Sequence, residues 1–126
     1  MTAPNLWGDL SNLETVRTPA SILREQAQKL GELTNYTLNG DVTVEKYGDR
    51  FQVTLHIVAP ALNDYRLLLI RVIHPIDIWP LVMRDVLAEE DHEASSEEEF
   101  VTHLGEILSS AQVKRVIAML ISQSGS

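Results

Sequence analysis

The sequence predicts an α+β fold: an antiparallel β-meander of three to four strands, with an N-terminal helix and two C-terminal helices packed on one face. Three observations carry this. A capped, amphipathic stretch at residues 18–34 has helical periodicity. Residues 37–59 alternate apolar and polar side chains around a Gly48-Asp49 turn. Residues 96–121 are again helical, but their apolar stripe changes phase halfway. A helix, then a run of strands, then helices is the order of segregated α+β architecture.

The chain has 126 residues, which fits one domain spanning 1–126. Residues 1–17 are expected to be loosely ordered and the tail 122–126 frayed. Leu6, Leu10, Leu13 and Val16 nonetheless have helical spacing, and Asn5 is placed to cap a short helix. Trp7 is expected to pack against something, because a large indole is seldom left in water.

The first helix starts at Thr18, a good N-cap, with Pro19 at the first helical position, where its missing N–H costs nothing. Ile22, Leu23, Ala27, Leu30 and Leu33 share one arc of the helical wheel. Arg24, Glu25, Gln28, Lys29 and Glu32 lie opposite, and Glu25 with Lys29 makes an i,i+4 pair. Asn35 suits a left-handed helix end. Gln26 falls inside the apolar arc, where its amide needs a partner. The exposed face mixes acids and bases, so a core wall fits this helix better than a DNA-recognition helix.

Residues 37–47 and 51–59 read as a hairpin with one buried face. Residues 60–64 read as a loop. YRLLLIRVI (65–73) is apolar on both faces and so reads as an interior strand. On a regular strand Arg66 and Arg71 point to opposite faces, which argues against an anion site built from them and Arg24. Residues 76–83 could be a fourth strand, at an edge or bent at Pro80, which cannot donate to a ladder. Residues 88–99 hold seven acids in twelve positions and read as a solvated loop. Ser96 and Glu99 form a capping box for the next helix. Phe100, Val101, Leu104, Ile107, Leu108 and Ala111 make its stripe. Val113, Val116, Ile117 and Leu120 lie half a turn away, so a break at Ser109-Ser110 must start a last helix.

The formal net charge is −8. Residues 1–75 carry eight acids and seven bases, whereas residues 76–126 carry ten acids and three bases. Such a chain repels phosphate, which argues against direct nucleic-acid binding. There is no cysteine, which excludes disulfides, thiolate metal sites and a cysteine nucleophile. No apolar run is long enough to span a membrane, and the N-terminus does not resemble a secretion signal, so a cytoplasmic location is expected.

No motif requires a cofactor. Glu99, His103 and Glu106 share a helix face and could approach a metal, but no H-E-x-x-H spacing supports one, so no metal site is assigned. Two surfaces remain. Glu89, Glu90, Asp91 and Glu93 form an acidic patch suited to a basic protein partner, whose approach it would accelerate. Gln26, His56, His74 and Asp77 are candidates for a ligand pocket between the first helix and the sheet. Without a nucleophile or paired acids at motif spacing, catalysis is the less favoured reading. The last helix is apolar enough to pack on the core or on a second copy, which leaves a homo-oligomer open.

One segment resembles a known group. Thr18-Pro19, Ile22-Leu23-Arg24-Glu25-Gln26-Ala27, Leu30 and Thr34-Asn35, followed by Val58-Ala59-Pro60-Ala61-Leu62 and Tyr65-Arg66, are similar to small uncharacterised bacterial proteins. That resemblance covers residues 18–80 and implies bacterial origin and a single compact domain, with no activity attached. The expected function is therefore protein interaction. By analogy, small acidic immunity proteins or antitoxins neutralise basic partners in this way. A ligand-binding or enzymatic domain is the alternative.

Overall fold

The computed structural model describes residues 3–125. Residues 1, 2 and 126, which fall in the two expected loose termini, lie outside the described residues. The elements run α1 (Pro19–Leu33), β1 (Asn39–Tyr47), β2 (Arg50–Ala59), a 3-10 turn (Pro60–Leu62), β3 (Tyr65–Pro75), β4 (Leu81–Asp85), β5 (Glu90–Ala94), α2 (Glu97–Leu108) and α3 (Ala111–Ser124). All five strands form one antiparallel sheet in sequence order.

The strand count corrects the expectation of three to four. The additional strand, β5, lies inside the acidic stretch read above as a loop. Its alternation is hidden because Ala94 is its sole apolar residue on the core face. Leu81 pairs with Ala94, and Met83 with His92, which places Ala94 and His92 toward the core. Asp91 and Glu93 point the other way. The fourth strand also starts later than expected, at Leu81, after a turn through Ile78, Trp79 and Pro80.

Local chemistry sets the helix ends. The Thr18 hydroxyl accepts from Ser21 N–H at 3.1 Å, and Ser21 Oγ accepts from Thr18 N–H at 3.0 Å, a reciprocal capping box. Beyond Thr34 the chain turns through Asn35 and Tyr36, both at positive φ. The α2–α3 break falls where the phase change requires it. Ser110 caps α3 by accepting from Val113 N–H at 3.2 Å. Ser96 caps α2 by accepting from Glu99 N–H at 3.2 Å. The Glu99 carboxylate reaches back to Ser95 N–H at 2.7 Å, one residue beyond the N-cap N–H of the standard box.

The core lies between one sheet face and the three helices. Leu23, Leu38, Val53, Ile57, Ile70, Val72, Leu81, Met83, Phe100 and Val113 are fully buried there. Trp79 packs beside Phe100, with ring centroids 6.4 Å apart. At Gly40, α1 crosses β1 so closely that an added Cβ would lie 2.5 Å from Ala27 Cβ. Gln112 on α3 donates to Leu87 O at 3.1 Å, tying the last helix to the β4–β5 turn.

The opposite sheet face is open, and a β-bulge changes its composition. Leu55 pairs with Ile70, but His56 pairs with Leu68, so Leu69 is the extra residue. A bulge inserts one residue and reverses side-chain parity beyond it. Arg66 and Arg71, expected on opposite sides, therefore share the open face: Arg66 is opposite Val58, and Arg71 opposite Thr54.

Residues 3–18 form no regular element. The helix suggested by the spacing of Leu6, Leu10, Leu13 and Val16 is not formed. Asn5 Oδ1 accepts from Trp7 N–H at 2.9 Å, and Asn5 Nδ2 donates to Gly8 O at 3.0 Å, so the segment begins with a turn. Trp7, expected to pack, is 82% exposed.

Candidate functional site

The sequence-predicted pocket residues do not gather at one place. Gln26 is half-buried on α1, at the wall between α1 and the C-terminal helices. His56 is on β2 and, by strand parity, faces the open side of the sheet. His74 is buried at the far end of β3, stacked on Phe51 with centroids 5.5 Å apart, and its Nδ1 lies 2.7 Å from Pro75 O. Asp77 is exposed in the β3–β4 turn.

His56 has an environment of its own. Burial, then the Arg66 guanidinium, push its pKa below the usual histidine range, and Asp41 opposes them. Its Nδ1 is buried without a hydrogen-bond partner, as is the Nε of Arg71. Arg66 is paired with Asp41 at 2.6 Å. Arg84 is paired with Asp91 at 3.1 Å. Thr43 and Thr54 share a hydroxyl hydrogen bond of 2.5 Å between them. Arg24 is on α1, behind the sheet, and does not join Arg66 and Arg71.

The acidic patch is spread over two faces and a turn. Glu89 is at a positive-φ position of the β4–β5 turn. Glu90 lies 3.8 Å from His92 Nε2, Asp91 is held by Arg84, and Glu93 is exposed on the open face. Charged side chains on a short edge strand also discourage pairing with another chain. His103 stacks on His92 with centroids 5.2 Å apart, while Glu106 is exposed. Among the described residues, no group of three or more histidine or acidic side chains is placed to hold a metal ion.

The feature that sequence reasoning missed is a groove. It opens between α1 and the C-terminal helix pair and is floored by the sheet. Ala27, Leu30 and Leu33 come from α1, Leu55, Ile57 and Leu69 from the sheet, and Leu108, Val113 and Ile117 from α2 and α3. The enclosed part measures about 160 Å³. Gln26 and Leu108 also line a second concavity, which continues past Ile22, Val101 and Leu104 to Arg17. The two concavities adjoin at Gln26 and Leu108 and together border α1 from Ile22 to Leu33.

Helical spacing puts Ala27, Leu30 and Leu33 on one stripe, and the α2–α3 break turns Val113 and Ile117 toward it. Sequence periodicity shows that these residues are apolar on one side, but not that the helices stand apart. Leu33, assigned to the buried arc, is 84% exposed at the groove mouth. Among the described residues, the Gln26 amide has no hydrogen-bond partner. Lys29 and Lys114 stand at the rim, and neither has an acidic partner among the described residues. The expected Glu25–Lys29 pair is replaced: Glu25 binds Arg17 at 2.7 Å, and Arg17 also reaches Glu97 at 3.3 Å.

The N-terminal segment leads into α1 through Arg17, which lines the second concavity. Leu6 is 88% exposed, and Leu10, Leu13 and Val16 are exposed too. A contiguous set of large exposed apolar residues marks an interaction surface more often than isolated ones do. No helix among the described residues is long and apolar enough to cross a membrane. No family model matches the chain, and the searches of curated proteins and of solved structures return no match either.

Proposed function

We propose that this protein is a protein-interaction module whose contact surface is the groove between α1 and the C-terminal helices. One observation carries the reading: two adjoining, mainly apolar concavities form a groove along α1 from Ile22 to Leu33, which the fold leaves 84% exposed. Amphipathic segments bind such grooves by their apolar stripes. The unpaired Lys29 and Lys114 at its rim favour a segment with acidic flanks. The acidic edge of Glu89, Glu90, Asp91 and Glu93 is a second contact surface, suited to a basic partner as in immunity proteins or antitoxins. The setting is bacterial and cytoplasmic in this reading.

The test is affinity purification of the tagged chain and of its Leu33→Glu variant from native lysate. Leu33 is exposed, so the variant keeps the fold. A protein retained by wild type and lost from the variant supports the groove. Equal retention by both counts against it. Reversing charge at Glu89, Glu90, Asp91 and Glu93 is expected to slow association with a basic partner at low salt, with the difference closing as salt screens it. An unchanged rate removes the acidic edge from the reading.

A second reading rests on the enclosed end of the same groove. Its 160 Å³ resembles the engineered apolar cavity of about 150 Å³ that binds benzene. A small apolar ligand seated there would raise the melting temperature in a thermal-shift screen. No shift with any apolar compound excludes that reading.

A further inference from the structure

We infer that the groove's partner is a second copy of this chain, which inserts its N-terminal arm, residues 5–16, while receiving the other copy's arm in return. The inference rests on the groove being a protein-contact surface and names what fills it.

The arm and groove match in length, pattern and charge. As a helix, residues 6–16 would span roughly 16 Å, close to the roughly 18 Å of α1 from Ile22 to Leu33 that lines the groove. Leu6, Leu10 and Leu13 then fall on one stripe, the i, i+4, i+7 pattern used by helices that lie in grooves. Asn5 is placed to cap that helix: its Oδ1 accepts from Trp7 N–H, the bond an N-cap makes to its second residue, although here the same side chain closes a turn onto Gly8 O. Gly8, at φ +76°, interrupts the helix, and glycine crosses between backbone regions without a Cβ penalty.

Charge is complementary as well. The arm carries Asp9 and Glu14 and, before Arg17, no base. The groove rim carries Lys29 and Lys114, unpaired among the described residues. A stable interface engages about 20–30 residues a side. An arm and a groove from each protomer reach that size, whereas an arm alone does not. The exchange is isologous about a two-fold axis, so it closes at two copies.

The experiment is sedimentation equilibrium of the full chain over a wide concentration range. Three proteins are compared: wild type, the arm variant Leu10→Glu/Leu13→Glu, and the groove variant Leu33→Glu. All three substituted positions are exposed, and circular dichroism checks the fold. Wild type is expected to sediment at twice 14.1 kDa, and each variant to dissociate at least tenfold more readily. Mixing the two variants is expected to give a heterodimer weaker than the wild-type dimer but tighter than either variant with itself, since one of the two arm–groove contacts is restored. A wild type that stays monomeric overturns the inference, and so does a dimer indifferent to the arm variant. A monomer whose Trp7 is shielded from a collisional quencher, in a Trp79→Phe background, overturns it in favour of the chain's own arm. Loss of the dimer leaves the groove reading standing if Leu33→Glu still abolishes capture of another protein.

Discussion

At Gly40, hydrogen in place of a methyl group sets how close α1 can approach β1. Ala27 on the helix presents Cβ and Cα at 2.5 and 2.6 Å from where a Gly40 Cβ would be. Neither atom is the free end of a flexible side chain, so the helix itself must move. Gly40→Ala should destabilise the fold by about 1–3 kcal/mol, the usual range for overpacking, measured by urea unfolding. No loss would mean that α1 shifts freely on the sheet. The same displacement would alter the groove, because Ala27 lines it. His56 makes a different prediction. Its folded pKa is depressed by burial and by Arg66, so the folded state binds its proton less readily than the unfolded state does. Its contribution is complete above the unfolded value of about 6.5 and is lost as pH falls through the lower folded value. His56→Gln should flatten stability against pH over that window, measured by denaturant midpoints. An unchanged slope would assign the pH dependence elsewhere. Neither effect is legible in sequence. Gly40 reads as one position in the alternating strand 37–47, and His56 as a candidate pocket residue on the polar face of its strand.

The elements were read from sequence to different depths, for physical reasons. The α1 cap, the β1–β2 hairpin and the α2–α3 break are all encoded locally, by Thr18-Pro19, by Gly48-Asp49 and by a stripe that changes phase. The Ser110 hydroxyl enforces that break. Ser110→Ala should cost about 1 kcal/mol, read by thermal or urea unfolding, and a neutral result would show that packing alone sets the break. By contrast, β5 depends on a neighbour. EDHEA has no strand propensity to offer, and it is a strand because Leu81 to Asp85 pair with it. The Leu69 bulge is likewise a property of two paired strands. It moved Arg66 to the face of Arg71, which single-strand parity had ruled out. The arm is the converse case: its helical spacing is plain, yet no helix forms, because an isolated short helix is marginal in water without a packing surface.

For the whole molecule, one sheet face and three helices enclose a single core, with Phe100 wholly buried beside Trp79. Phe100→Ala should cost about 3–5 kcal/mol, a large part of the 5–15 kcal/mol typical of a domain. A cost under about 1 kcal/mol would show that the α2–sheet contact is not central to the fold. What the core leaves unfilled is the space between α1 and α3. There the apolar stripes of both helices meet an opening instead of each other, and the N-terminal arm ends at its rim through Arg17. The sequence-predicted pocket between the first helix and the sheet shares Gln26 with this groove, but His56, His74 and Asp77 lie elsewhere. A groove is a relation among three helices and a sheet, so no window of sequence displays it. The most direct measurement places a photo-crosslinking residue at Leu33, with a control at Tyr47 on the exposed β1–β2 hairpin, and illuminates the chain in native lysate. The account predicts a discrete adduct from Leu33, with a second copy or with another protein, and none from Tyr47. No adduct from Leu33, or the same adducts from both positions, would contradict it.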